Sequence, residues 1–313
     1  MTAYTEPQFN SEEAARKTLE KVLWPSGPVC AHCGVIDHAY PTKRPGVFRC
    51  AEAACRKDFS VTMKTVMERS HIPLHKWLLA FHLFTASKKG FSAHQLHRTL
   101  GITYRSAWFM AHRVREAMRA GGLEPMGGEG KVVEADETYF GDVPESKRRT
   151  KTTRGRAFTK SGKPGPSNKR AIVSLVERGG SVRSFHVAVA DGVTVANIVN
   201  ENVLRETRLH TDESRIYTKV GANFKAHETV VHRVKEYARG DVTTNSVEGY
   251  FSIFKRGMRG VYQHCGEKHL HRYLAEYDFR FNHREALGFN DGERATRAIV
   301  HASGKRLTYR LPN

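Results

Sequence analysis

The sequence predicts an α/β or α+β core with one central sheet, preceded by a cysteine-rich segment and a helical one. Three observations carry this. Four of the five cysteines fall between residues 30 and 55, paired as Cys30-x-x-Cys33 and Cys50-x4-Cys55. Residues 74–118 are apolar at helical spacing and are broken at Gly101. From Lys131 onward the pattern turns to strand-like runs, then to strands mixed with helices, as in a sheet layered with helices. With 313 residues there is room for two or three domains. The expected boundaries are 1–65 for an N-terminal helix and the cysteine segment, 66–127 for the helical region, 128–290 for the core and 291–313 for a C-terminal tail.

Taken in order, residues 11–23 form the first helix, with Ser11 as cap and Ala15, Leu19, Val22 and Leu23 as a narrow apolar stripe. The cysteine segment, CAHCG and then FRCAEAACRKDFSV, reads as short strands and knuckles. Two paired thiolate knuckles supply the four soft ligands of a tetrahedral zinc, and Gly34 leaves room for the tight turn after the first. With four thiolates there is no open position, so this zinc is structural. His32 and His38 lie close enough in sequence to compete as ligands.

LHKWLLAFHLFTAS at 74–87 is the next helix. Ser92 caps a helix running to Leu100, Gly101 breaks it, and Thr103 caps another to about Met118. Helix, short glycine turn and helix make a helix-turn-helix, which would present Tyr104, Arg105, Arg113 and Arg115 to a DNA groove, with Trp108 and Val114 in the core. Residues 120–130 are glycine-rich and read as a linker.

KVVEADETYF is the first core strand, and KRAIVSLVERGGSVRSFHVAVA is a hairpin turning at Gly179-Gly180. VTVANIVNENVLRE is a helix, RLHTD and ETVVHRVKEY are strands, and NSVEGYFSIFKRGM and KHLHRYLAEYDFRFNHR are helices. Between the first two strands, residues 147–170 hold ten basic residues and no acid. This stretch reads as a mobile loop, and Lys147, Arg148, Arg149, Lys151, Arg154 and Arg156 are its candidate DNA contacts.

Charge narrows the function. Lys and Arg number 51 against 32 acids, a formal charge of +19 that favours a polyanionic partner. No apolar run reaches the roughly 18 residues of a membrane span. No basic region followed by an apolar stretch opens the chain, so the expected location is the cytoplasm, where thiols stay reduced. Cys265 is left over as an ordinary side chain.

The candidate catalytic residues are acids. Asp136 lies on the first core strand, with Glu134 on the same face and Glu137 on the other, and spacing alone does not choose between Asp136 and Glu134. Asp212 ends a short apolar strand, where side chains meet a cleft at a sheet's carboxyl edge. Glu248 precedes Lys255 by seven residues, close to two helical turns, so both share one face of a helix. That helix buries Val247, Phe251, Phe254 and Met258. Asn245-x-x-Glu248 also reads as a capping box, so the residues alone leave Glu248 between metal ligand and local cap. Carboxylates suit the paired divalent ions, about 4 Å apart, that assist phosphodiester chemistry.

The order of these parts resembles bacterial insertion-sequence transposases of the DDE class that carry a zinc ribbon and helix-turn-helix ahead of an integrase-like core, with Merlin-type transposases as eukaryotic kin. CAHCG, FRCAEAACRKDFSV, VEADETYFGD, HTDES, NSVEGYFSIFKRGMRGVYQH and KHLHRYLAEYDFRFNHR carry the likeness across about residues 25–288. The second cysteine pair is wider than the family's commoner CxxC. The resemblance implies a ribonuclease-H-like mixed sheet and a magnesium or manganese site at Asp136, Asp212 and Glu248, with Lys255 as the accompanying cationic residue. It implies Asn245 as a second contributor to the third role, since some relatives carry Asn there. Double-stranded DNA, both element ends and target, is the implied partner, with at least a homodimer to pair two ends. The alternatives are a ribonuclease-H-like nuclease without joining, or a non-catalytic DNA-binding regulator derived from a transposase.

Overall fold

The computed structural model describes residues 3–121, 123–142, 169–234 and 236–308. The chain forms two compact units, Met1–Ala120 with Gly288–Asn313, and Gly121–Leu287.

In the first unit, helix α1 (Glu12–Leu23) starts at Ser11, whose hydroxyl accepts from the Ala14 N–H, and buries Ala15 and Leu19. Strands β1 (Ala39–Pro41), β2 (Phe48–Cys50) and β3 (Asp58–Phe59) form an antiparallel sheet in that order. In its small core Trp24 packs edge-on against Phe48 and Phe59, which stack on each other, at ring separations of 5.6–6.0 Å. Helix α2 (Leu74–Ala86) is apolar nearly all round, because other helices surround it. Helix α3 (Ala93–Leu100) starts at Ser92, and Gly101 closes it in the left-handed conformation, φ 57°. Helix α4 (Tyr104–Met118) starts at Thr103. The two helices and the glycine turn between them therefore lie where the sequence places them.

In the second unit, β4 (Val132–Asp142), β5 (Lys169–Glu177) and β6 (Val182–Val187) are antiparallel. Helix α5 (Gly192–Asn202) then leads to β7 (Arg208–Asp212), and the short helix α6 (Thr218–Gly221) leads to β8 (Ala226–Val230). Both of these strands run parallel to β4, giving among the described residues a five-stranded sheet of order β6-β5-β4-β7-β8. A two-residue pair, β9 (Ala238–Arg239) and β10 (Val242–Thr243), precedes α7 (Asn245–Gly257), which runs into a π-helical turn. Helix α8 (Leu270–Asn282) follows.

The sheet is covered on both faces. Val133, Ala135, Val173 and Leu175 pack with Val195 and Val199 of α5 and with Tyr217. Ile172 and Val176 pack with Val247, Phe251 and Phe254 of α7 and Leu274 of α8. This mixed sheet between helical layers is the ribonuclease-H-like core.

Two expectations are corrected. The stretch 120–130 is not a loose linker: Met126 is buried and bridges Val203, the Gly127 N–H donates to Glu177 at 2.9 Å, and the Gly128 N–H donates to Thr207 at 2.9 Å. Gly127 has φ 84°, and a Cβ there would lie 2.2 Å from the Thr207 hydroxyl, so the close approach requires glycine. The expected tail contains helix α9 (Asp291–Val300), opened by a capping box at Asn290 and Glu293, which packs on α1 and α2. Beyond it, the Gly304 N–H donates to the Lys64 carbonyl, and Lys305 donates to the carbonyls of Ala117 and Arg119.

Candidate functional site

Strand β4 pairs with β7 only as far as Glu134, opposite His210. Beyond that point it runs on past the carboxyl end of β7, where Asp212 sits. Carboxylate oxygens of Asp136, Glu137 and Asp212 converge there within 4.8 Å of one another. Asp136 accepts the Glu137 N–H at 2.8 Å, and Asp212 accepts the Ser214 N–H at 3.0 Å. The buried Tyr217 hydroxyl donates to Glu137 at 2.9 Å. Glu137 belongs to the opposite face of β4, which is why alternation excluded it. Past the end of β7 that strand no longer separates the two faces. Nothing in the DET tripeptide alone signals this convergence.

The electrostatics are those of a crowded anionic site. Burial, and then the charges of Glu137, Asp212 and Glu248, push Asp136 up to about 8. Burial also raises Glu137 and Asp212, against the lowering hydrogen bonds from Tyr217 and the Ser214 N–H. Three clustered carboxylates are a hard-oxygen donor set, which fits a divalent cation such as magnesium or manganese.

Glu248 stands beside this cluster, close enough for its charge to act on Asp136, but outside the tight group. Its carboxylate accepts the Thr244 hydroxyl at 2.9 Å and lies 3.3 Å from His232 Nε2. Glu213, next to Asp212, holds that loop by accepting the N–H groups of His232 and Arg233 at 2.8 and 3.1 Å. Lys255 shares the face: burial, then Arg259, lowers its ammonium, and the Asp136 charge opposes them. Val247, Phe251 and Phe254 of α7 are buried as the sequence predicts, Met258 continues the stripe in the π-helical turn, and Tyr250, which the sequence reading lacks, is buried with them. The capping box does not form. Asn245 is the first helical residue rather than the cap, and its side chain is exposed.

Geometry separates Glu134 from Asp136. Glu134 is fully buried, and its oxygens are taken up by Arg178, the Ser246 N–H and hydroxyl, and the Val247 N–H.

The sulfur atoms of Cys30, Cys33, Cys50 and Cys55 lie within 4.8 Å of one another. Cys30–Cys55 and Cys33–Cys50 are 3.8 and 3.7 Å apart. That is too long for a disulfide, and it matches the edge of a tetrahedron with zinc–sulfur bonds of about 2.3 Å. Burial alone would raise the Cys30 thiol, but N–H donors from Cys33 and His32 outweigh it and bring it to about 6. His32 bonds instead with the Asp58 carbonyl at 3.1 Å, and His38 lies 3.6 Å from Glu52, so neither joins the cluster.

Of the expected groove contacts, Arg105 is exposed and Arg113 is not. Arg113 is 9% exposed, donates to the Glu68 carbonyl at 3.1 Å, and stacks over Phe109 at 4.6 Å. Arg115 is likewise buried, over Phe84. The assignment of Arg113 to DNA is therefore corrected to packing, because the second half of α4 is enclosed. Lys147, Arg148, Arg149, Lys151, Arg154 and Arg156 lie outside the described residues.

A family model described as an ISXO2-like transposase domain matches residues 127–282, and one described as a transposase zinc-ribbon domain matches residues 10–58. A protein of Halobacterium salinarum, named as an uncharacterized protein in transposable element ISH50, is 28% identical over 284 residues, spanning 87% of this chain and 91% of that protein.

Proposed function

This chain belongs to the DDE-class insertion-sequence transposases, and we propose that it cuts DNA at its element's terminal inverted repeats and joins the freed 3′-hydroxyl to target DNA. The observation that carries this reading is the convergence of Asp136 and Asp212 at one sheet edge with Glu137, beside Glu248 and Lys255.

Asp136 and Asp212 would hold the divalent ions, with Glu248 as the third acid and Glu137 as a supporting ligand oriented by Tyr217. To join them Glu248 would give up its contacts with Thr244 and His232. When bound, magnesium or manganese would supply positive charge against the negative charge that builds on the oxygens in an in-line phosphoryl displacement. Asp136 would have to be ionised to hold a cation. Lys255 donates to a phosphate oxygen near the scissile bond, and Asn245, exposed one turn from Glu248, takes a secondary part there. The chain acts in the cytoplasm as a homodimer or larger assembly, since two ends must be paired. Structural zinc shapes the ribbon, which reads the terminal repeats together with α4, through Arg105.

The test is strand transfer by purified protein on DNA carrying the cognate ends. Asp136→Ala and Asp212→Ala should each lower joining by roughly 10³-fold or more while end binding persists. Retained joining by either variant overturns the reading. Cleavage without joined products from the wild type would identify a nuclease, and end binding without metal-dependent cleavage a regulator.

A further inference from the structure

Glu134 lies two residues before Asp136 on the same face of β4 but takes no part in the acidic cluster. It is 0% exposed. One carboxylate oxygen accepts Arg178 Nη2 at 2.9 Å and the Ser246 hydroxyl at 3.0 Å. The other accepts the Ser246 and Val247 N–H groups at 2.8 and 3.1 Å. Those two N–H groups belong to the first turn of α7, where a helix has no internal acceptors. The residue in the capping position, Thr244, makes no side-chain cap, because its hydroxyl goes to Glu248. A carboxylate on a neighbouring strand thus does the work of a local cap. Arg178, its ion-pair partner, also donates to the carbonyls of Asp241 and Thr243 at 2.8 and 3.3 Å, in the pair of strands that leads into α7.

A local Ser or Asp would satisfy the same N–H groups without burying a charge. What it would not do is tie the helix to the strand. We propose that Glu134 is a positioning residue for the catalytic site: it registers the first turn of α7 against β4, so that Glu248, directly after Val247, and Lys255, two turns on, face Asp136. The link is short. Only Ala135 separates Glu134 from Asp136 on the strand, and Glu248 directly follows Val247, which Glu134 holds, on the helix.

The proposal rests on the reading of Glu248 as the third acid, and a double-mutant cycle separates the two. Full-length wild type, Glu134→Gln, Glu248→Gln and the double variant are titrated with Mn2+ by calorimetry and assayed for end cleavage. Each single variant is expected to weaken Mn2+ binding about tenfold or more, as loss of a supporting contact to a ligand does. The double variant should bind no more weakly than Glu248→Gln alone, since Glu134 acts through Glu248. Ser246→Ala, which removes one partner of Glu134 and keeps the charge pair, should weaken binding in the same direction and lose its effect in the Glu248→Gln background. It serves in place of Glu134→Gln should that variant not fold. Lower thermal stability with unchanged Mn2+ affinity in Glu134→Gln, or full additivity in the double variant, overturns the positioning role. Wild-type Mn2+ affinity and cleavage in Glu248→Gln overturns the third-acid reading itself.

Discussion

At Asp136 the charge of the whole site is felt by one group. Its carboxyl is held up to about 8 by burial and by three neighbouring acids, whereas in the unfolded chain it titrates near 3.8. Between those values the folded protein keeps a proton that the unfolded chain has lost, so stability falls as pH rises through that window. Asp136→Asn removes the effect. In a chelating buffer the variant should melt several degrees above wild type at pH 8, and the gap should close as pH approaches 4. Added Mn2+ should then stabilise the wild type far more than the variant. A lower melting temperature for Asp136→Asn at pH 8 would show that the acids do not repel as the geometry says. Asp212 was legible in the sequence because it ends a run that reads as a strand, whereas Asp136 lies inside one, and the family likeness rather than spacing chose it over Glu134. Glu137 was not legible: strand alternation points it away from Asp136, and the two converge with Asp212 only beyond the end of the β7 pairing. Arg113 was misread for the opposite reason, since a charged side chain in a basic protein looks like a contact until the packing around it is known.

Elements show the same division. The seven-residue step from Glu248 to Lys255 and the apolar stripe of α7 are properties of one helix, so a local reading captures them. The start of that helix is fixed by Glu134, more than a hundred residues earlier in the chain, and local rules gave a capping box instead. Helix α4 allows a direct comparison. Arg113→Ala should lower stability by about 1–3 kcal/mol in denaturant titration, because the Glu68 carbonyl loses its partner and Phe109 its cover, and end binding per folded molecule should stay near wild type. Arg105→Ala should do the reverse, with unchanged stability and weaker sequence-specific binding. In the ribbon, Cys55→Ser should reduce zinc below one ion per chain by elemental analysis, whereas Cys265→Ser, outside the sulfur cluster, should leave zinc content unchanged.

On the scale of the molecule, the layered core was foreseeable from the succession of strand-like and helical runs, but the strand order was not. Placing β4 between β5 and β7 depends on pairings far apart in sequence, and no periodicity encodes them. Net charge is a different kind of property, additive over residues and independent of the fold. At +19, with ten basic residues and no acid in 147–170, the chain should release many counterions on binding DNA. Each phosphate neutralised contributes about 0.9 to the slope of log affinity against log salt. Replacing Lys147, Arg148, Arg149, Lys151, Arg154 and Arg156 with Gln should therefore reduce that slope by up to about 5 if every one of them meets a phosphate. The loss should be similar on cognate ends and on unrelated duplex, because phosphate contacts carry no sequence information. Arg105→Ala, by contrast, should narrow the difference between cognate and unrelated DNA with a slope change near 1 or less. An unchanged slope in the six-residue variant would remove the basic segment from the DNA interface and assign the electrostatic contact to the rest of the chain's basic surface.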